Sequence, residues 1–143
     1  MKSLRVALVL GLLSAAAAFA QGAPKVEVFK SASCGCCGGW VEHMRESGFQ
    51  VTTHDVADVA AERKKLGMPD RLGSCHSAKV GGYVIEGHVP AADIRRLLKE
   101  KLKAIGLAVP GMVPSSPGMT GPKTAYDTLL VSRDGTTRVF ASH

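Results

Sequence analysis

The sequence predicts a mixed α/β domain with the element order β-α-β-α-β-β-α, followed by an additional C-terminal loop and β-hairpin. Three observations carry this prediction. Between residues 25 and 66, a segment with the alternating apolar residues of a strand is twice followed by a segment with apolar residues at helical spacing. Gly81-Gly82 then separates two short β-rich segments, which is the pattern of a tight antiparallel hairpin. A further amphipathic helix is expected after Pro90, a residue favoured at helix starts.

The first half of the domain predicts two parallel strands joined by a helix. Residues 25–30 alternate as a strand, and residues 38–47 have apolar side chains at helical spacing, with Gly48 as the C-cap. Residues 49–54 predict a second strand and residues 59–66 a second helix. A helical crossover between neighbouring strands makes them parallel, so these elements form a βαβα unit.

The second half predicts a hairpin and a helix after an irregular loop. The loop covers residues 68–74, the hairpin strands cover residues 76–80 and 83–86, and the helix runs from Pro90 to about Lys103. We therefore expect an antiparallel pair beside the parallel one, which makes the sheet mixed.

The C-terminal extension is expected to contain one long loop and a second hairpin. Residues 106–122 are rich in glycine and proline, as is typical of a loop. Residues 126–131 and 136–140 flank Asp134-Gly135, another hairpin signature. The sequence leaves open whether this hairpin extends the sheet or anchors the loop.

The N-terminus predicts a secretory signal peptide. Lys2 and Arg5 precede an apolar run over residues 6–19, and Ala18-Phe19-Ala20 has the small-x-small pattern of a cleavage site. The run is shorter than the ~20 residues that span a bilayer. We expect residues 1–20 to be removed on export to the periplasm, with no stable membrane insertion afterwards.

The rest of the chain is expected to be a single domain without a nucleic-acid partner. Residues 21–143 are of ordinary single-domain length, with a core at about 25–103 and an extension at 104–143. The full chain carries a formal net charge of +6, but its basic residues are scattered at helical spacing. No platform of aromatic side chains accompanies them, which excludes a typical nucleic-acid surface.

Three of the four cysteines lie within four positions, at the junction of the first strand and the first helix. Cys34 and Cys37 form a C-x-x-C pair, and a helix N-terminus favours thiolates. Cys36 is a surplus thiol for a simple disulfide, whereas a soft metal ion can use all three sulfurs. The fourth cysteine, Cys75, is followed by His76.

Two structural disulfides are the usual reading of four cysteines in an exported chain. Here the triplet is too compact in sequence to link distant parts of the fold, and a bond between adjacent Cys36 and Cys37 is strained. A bridge from Cys34 or Cys37 to Cys75 stays open at this point.

The element order, with C-x-x-C opening the first helix, resembles the thioredoxin fold over about residues 25–103. In that group a cis-proline precedes the third strand and lies against the C-x-x-C. His76 stands at this position here, and Cys75 stands just before it. The resemblance implies that both residues converge on the cysteine triplet.

The motifs further resemble the CopG-like periplasmic copper-resistance proteins, a cysteine-rich branch of the thioredoxin-like group. The matching segments are residues 33–40 (SCGCCGGW), 74–76 (SCH), 80–90 (VGGYVIEGHVP), 107–112 (LAVPGM) and 116–119 (SPGM). The tail departs at Thr120, where the family commonly has Glu. The resemblance implies a role in copper tolerance and a multinuclear, cysteine-bridged Cu(I) cluster, with copper ions and other periplasmic copper-handling proteins as partners.

Ligand chemistry independently favours copper. Thiolates are soft ligands that suit Cu(I), and four bridging sulfurs hold up to about four such ions. Zinc is the rival, because four cysteines, or three with one histidine, satisfy its tetrahedral preference. The predicted metal-site residues are Cys34, Cys36, Cys37, Cys75 and His76, with Met112 and Met119 as thioether candidates in the loop.

Three further histidines and the tryptophan are expected to have roles other than metal binding. His43 is expected on the helix surface, and His54 and His88 in solvated or backbone-bonded positions. Trp40 is expected in the core, where it also shields the metal from water.

The sequence thus predicts a periplasmic copper-binding protein and leaves its enzymatic status open. A change of copper between Cu(I) and Cu(II) would make it a copper oxidoreductase. The alternative is a thiol-disulfide oxidoreductase with Cys34 as nucleophile and Cys37 as resolving thiol.

Overall fold

The computed structural model of the protein describes residues 22–143 and consists of one seven-stranded sheet and three helices. The predicted signal peptide lies outside the described residues. The strands are β1 (Lys25–Lys30), β2 (Gln50–Asp55), β3 (His76–Val80), β4 (Tyr83–Glu86), β5 (Gly106–Ala108), β6 (Asp127–Val131) and β7 (Thr137–Ser142). The helices are α1 (Gly35–Glu46), α2 (Val59–Lys65) and α3 (Ala91–Glu100).

The sheet is mixed, with the spatial order β2-β1-β3-β4-β5-β6-β7. β1 and β2 are parallel, and β3 and β4 form the antiparallel hairpin, so both predictions are confirmed. β3 also pairs antiparallel with β1. The C-terminal hairpin of β6 and β7 extends the same sheet, because β5 pairs parallel with β4 and antiparallel with β6.

Some element boundaries differ from those expected. α1 begins at Gly35, three residues before the predicted position 38, so that two of the cysteines belong to its first turn. α3 ends at Glu100 rather than near Lys103, because Lys101 adopts a left-handed conformation that closes the helix. The sequence predicts a loop where β5 is found, because three residues that begin with Gly106 are too few to show the apolar alternation of a strand.

The core consists of two apolar clusters on opposite faces of the sheet. Neighbouring residues of β4 and β5 divide between them: Ile85 and Leu107 face one cluster, and Val84 and Ala108 the other. This division follows from the two-residue period of strands. α1 and α3 cover the larger cluster, and the end of α2 with the following loop covers the smaller one.

The glycine-rich C-terminal segment contacts the start of α1 directly. A Cβ atom on Gly39 would lie 2.6 Å from the carbonyl oxygen of Gly118. The backbones therefore approach each other more closely than any side chain at Gly39 permits. The segment between β5 and β6 is thereby held over the end of α1 that carries the cysteines.

None of the helices in residues 22–143 has the length and apolar character needed to cross a membrane.

We expect Gly39→Ala to lower the free energy of unfolding, because the new methyl group collides with the backbone of Gly118. Overpacking of this kind costs about 1–3 kcal/mol. Gly38→Ala is the matched control, since a Cβ there meets nothing within 4 Å. Alanine at that helical position should raise stability by up to about 1 kcal/mol. Urea unfolding of both variants measures the difference; equal stabilities would contradict the close approach.

Candidate metal centre

Strand pairing brings all four cysteines to one place. Cys34 precedes α1 as its N-cap, and Cys36 and Cys37 lie in the first turn. The antiparallel register pairs Lys30, the last residue of β1, with His76, the first residue of β3. Cys75 therefore lies beside the start of α1, and the four Sγ atoms lie within 4.8 Å of one another.

Two of these sulfurs are joined in the structure. Cys34 and Cys37 form a disulfide, and Cys36 and Cys75 are free thiols. The Sγ atom of Cys36 lies 3.6 Å from that of Cys34 and 4.0 Å from that of Cys75. The bridge to Cys75 that the sequence left open is not formed. The site thus has a two-electron-oxidised form in which two thiols remain available.

The thiol of Cys75 is in contact with two imidazoles. Its Sγ atom lies 3.0 Å from Nε2 of His88 and 3.4 Å from Nδ1 of His76. Burial, together with the neighbouring charge of Cys36, raises the pKa of Cys75 to about 12. Cys75 is therefore a neutral thiol at pH 7, and metal binding by its sulfur would require loss of this proton.

His88 lies in the site although the sequence did not predict it there. Its side chain is 1% exposed, and its Nδ1–H donates to the carbonyl oxygen of Pro117 at 2.7 Å. This bond fixes the tautomer, so that the lone pair of Nε2 points at Cys75. Burial lowers the pKa of His88 and keeps it neutral. Of the two positions expected for His88, the structure shows the backbone-bonded one. Only tertiary packing places His88 beside Cys75.

His76, which contacts Cys75, forms a buried aromatic pair with Trp40. Both are fully buried, with ring centroids 4.5 Å apart. Burial, with a contribution from nearby His88, lowers the pKa of His76 to about 3, so the imidazole is neutral. Its Nε2 has no hydrogen-bond partner within residues 22–143. The indole Nε1–H of Trp40 donates to the carbonyl oxygen of Val89 at 2.8 Å, which holds the ring beside His76.

The two methionine candidates lie in the segment that covers the site. Met112 is 47% exposed, and its Sδ atom lies 3.9 Å from Oγ of Ser74. The same Oγ atom lies 3.9 Å from Sγ of Cys75, so Met112 is at the outer edge of the thiol cluster. Met119 is half-buried farther along the segment and directly follows Gly118.

The other three histidines are outside the sulfur cluster, and His143 lies against Asp93 at the C-terminal end of the chain. His43 was expected on the surface, but it is half-buried, and its Nε2 accepts a hydrogen bond from the backbone N–H of Ala91 at 3.1 Å. Burial lowers its pKa. His54 is exposed and stacks on Phe29 on the open face of the sheet.

A buried ion pair supports the loop that carries Cys75. Nε of Arg63 donates to Oε1 of Glu86 at 2.8 Å, and Nη2 of Arg63 donates to the carbonyl oxygen of Ser74 at 3.0 Å. Glu86 also accepts the backbone N–H of Ser74 at 2.7 Å and the hydroxyl of Ser77 at 2.5 Å. Ser74 and Ser77, which flank the Cys75-His76 pair, are thus bonded to one fully buried carboxylate.

The chain is similar to solved structures of a copper resistance protein. A structure titled copper resistance protein CopG, form 2, is 41% identical, with a TM-score of 0.80; the match covers 85% of this chain and 98% of that one. The structure titled form 1 is 42% identical, with a TM-score of 0.77 and coverages of 83% and 96%. A family model described as a protein of unknown function, DUF411, matches residues 72–119. No curated protein matches the chain.

We expect Glu86→Ala to destabilise the fold strongly, because it leaves Arg63 buried without its counter-charge. Removal of one partner of a buried pair costs about 3–5 kcal/mol. Glu100→Ala is the control, since its pair with Arg96 is exposed and should change stability by no more than about 0.5 kcal/mol. Chemical unfolding curves measure both values. A loss at Glu86 as small as that at Glu100 would show that the pair does not support the loop.

Proposed function

The chain belongs to the CopG family of copper resistance proteins, and on that premise we propose that it binds several Cu(I) ions through Cys34, Cys36, Cys37 and Cys75. The convergence of four Sγ atoms within 4.8 Å is the observation that carries the proposal. The export signal predicted from the sequence puts this activity in the periplasm. Its physiological role is then copper resistance, with other periplasmic copper-handling proteins as donors or acceptors of the ions.

The sulfur separations suit bridging by metal ions. Two metal–sulfur bonds of about 2.3 Å hold their sulfurs roughly 3.8–4.6 Å apart, from a tetrahedral to a linear angle. The separations of 3.6 Å and 4.0 Å around Cys36 are close to this range. Cu(I) accepts two or three thiolates, so that four sulfurs shared between ions neutralise about four positive charges.

The surroundings of the sulfurs favour thiolates and a reduced metal. The free N–H groups at the start of α1 stabilise negative charge on Cys36 and Cys37. Trp40 and His76 exclude water on the inner side, which protects a soft monovalent ion. Met112, at the exposed edge, is a thioether suited to receive Cu(I) from solvent and pass it to Cys75. Met119, in the segment between β5 and β6, is the second proposed thioether ligand.

The Cys34–Cys37 disulfide makes copper loading dependent on thiol redox state. A disulfide sulfur is not a thiolate ligand, so full loading requires that bond to be reduced first. The same dithiol is a two-electron donor, so a redox role towards copper is compatible with this site. In that role, oxidation of the dithiol releases two electrons and two protons, and two Cu(II) ions become two Cu(I) ions.

A thiol-disulfide oxidoreductase is the second candidate, because the structure contains the Cys34–Cys37 disulfide at a helix N-terminus. The arrangement around it favours metal binding instead. Cys75, with His76 and His88 against it, stands close to the pair where a disulfide reductase needs room for a substrate peptide.

Anaerobic Cu(I) titration of the fully reduced protein should load more than one ion per chain. Cys75→Ser replaces a soft charged ligand by a hard neutral hydroxyl, so the copper stoichiometry should fall while the apo-protein stays folded. Elemental analysis against a competing chelator, with Trp40 fluorescence as a local reporter, measures the stoichiometry. Saturation of the wild type at one equivalent, or unchanged copper with a lowered Tm in Cys75→Ser, would overturn the proposal.

Insulin reduction by this protein should be negligible compared with a thioredoxin-like reductase, because Cys75 and His76 occupy the peptide-docking position. The assay compares the wild type with Cys34→Ser and Cys75→Ser at equal concentration. Substantial turnover that is lost in Cys34→Ser and retained in Cys75→Ser would favour the oxidoreductase instead.

A further inference from the structure

The edge of the sheet farthest from the cysteines includes Lys25, the first residue of β1. The antiparallel register pairs Val26 with Val80, so Lys25 lies beside the Gly81-Gly82 turn that joins β3 to β4. Strands rise about 3.3 Å per residue, which puts this edge roughly 17 Å from Lys30, where β1 ends towards the cysteines. A surface at this edge is therefore separate from the candidate metal centre.

Two helices end at the same edge and add basic side chains to it. A Cβ atom on Gly81 would lie 2.5 Å from Cδ2 of Leu98, so the last turn of α3 packs on the turn between β3 and β4. On the other face of the sheet, Leu66 directly follows α2 and lies in one cleft with Gly82 and Val84. The exposed lysines of this edge, which we call the basic edge, are Lys25, Lys65, Lys79, Lys99, Lys101 and Lys103.

Four of the six lysines have no carboxylate partner. Three carboxylates at this edge already have basic partners, in the pairs Glu27–Lys79, Glu62–Lys65 and Glu100–Arg96. Within residues 22–143, the lysines outside any ion pair are Lys25, Lys99, Lys101 and Lys103. The fold thus gathers positive charges that are scattered in the sequence, and together they attract an anionic partner.

Each face of the basic edge has a cleft that contains apolar side chains. On one face, a cleft of about 480 Å³ contains Leu66 and Val84 among lysines. On the other face, a cleft of about 400 Å³ contains Leu98 with Arg95 and two lysines. Leu66 and Leu98 pack on the two opposite core clusters, so the clefts lie on opposite faces of the sheet. The Gly81-Gly82 turn between them has no side chain that would keep a flat surface away from the lysines.

This distribution of charge fits an extended anionic surface better than a ligand bound in one groove. A peptide or small anion in one cleft would reach the cations of one face only, whereas a plane laid across the turn reaches those of both. Anionic phospholipid headgroups offer such a plane, and leucines beside lysines suit the boundary between headgroups and acyl chains. The periplasm, to which the sequence predicts export, is bounded by phospholipid bilayers.

We propose that the basic edge docks the folded domain peripherally on an anionic phospholipid bilayer. The lysines bind lipid phosphates, and the attraction is electrostatic, so that docking is reversible and weakens with salt. The candidate metal centre, at the opposite edge of the sheet, then faces solvent, where its thiols stay open to ions and to partner proteins. Docking does not depend on the copper stoichiometry, so failure of the proposed function would leave it intact.

Co-sedimentation with lipid vesicles tests this docking. Residues 21–143 are used, because both core clusters lie within residues 22–143 and the apolar N-terminal run would itself bind lipid. At low ionic strength we expect the protein to sediment with vesicles of mixed phosphatidylglycerol and phosphatidylcholine, and to stay in solution with phosphatidylcholine alone. Added salt should release it. Absence of binding to the anionic vesicles, or equal binding to both kinds, would overturn the proposal.

Two charge reversals locate the docking surface. Lys99→Glu and Lys103→Glu each change the charge of the basic edge by two, and one charge near an anionic bilayer contributes about five-fold in affinity, so each variant should bind roughly 25-fold more weakly. Lys123→Glu is the matched control, since it changes the net charge equally but lies in a cleft with Tyr126 and His143, at the opposite edge. Its affinity should stay within about two-fold of the wild type, because charges beyond a Debye length are screened. Urea unfolding verifies that all three variants are folded.

Two further results would assign the binding differently. If Lys123→Glu weakens vesicle binding as much as Lys99→Glu does, net charge and not the basic edge is responsible, and the proposal is refuted. Polyglutamate is the probe for an acidic protein partner. Binding of polyglutamate that Lys99→Glu removes, without binding to anionic vesicles, would identify such a partner in place of the bilayer.

Discussion

The antiparallel pairing of β1 with β3 is the constraint on which the candidate metal centre depends. The register that opposes Lys30 and His76 sets the end of one strand beside the start of the other. α1 begins a few residues after Lys30, and Cys75 directly precedes His76. A slip of one residue would turn every side chain of β3 to the opposite face. The pairing therefore fixes both the distance and the direction from which Cys75 meets the cysteine triplet.

A polar network on the other side of the loop makes this placement rigid. Glu86 at the end of β4 binds Arg63 from α2 and the backbone of Ser74. Two elements, α2 and β4, are thereby tied to Ser74, the residue before Cys75. A buried charge that has all its partners is costly to displace, since any movement leaves charge unpaired. The loop that carries Cys75 is thus held at Ser74 by both partners of the buried pair.

The C-terminal strands have a structural role in covering the site. β6 and β7 continue the sheet beyond β5, and Thr128 and His143 bind the carboxylate of Asp93 at the start of α3. This attachment fixes one end of the segment between β5 and β6. The same segment supplies the Pro117 carbonyl that orients His88 and the Gly118 backbone that packs on α1. The extension is therefore part of the site as well as of the sheet.

The sequence by itself determined most of the strands and helices and the group of three cysteines at the start of α1. Apolar periodicity and glycine pairs are local signals, and they predicted the strand and helix order and both hairpins. The resemblance to the thioredoxin fold implied that Cys75 approaches the cysteine triplet, as it does. The sequence did not reveal β5, because three residues are too few to show a period. Nor did it reveal that His88, thirteen residues from Cys75, is its closest imidazole. The lone pair of His88 is directed by the carbonyl oxygen of Pro117, which belongs to a distant segment. The disulfide partner of Cys34 depends on how α1 starts. Both are properties of packing, so only the tertiary structure decides them.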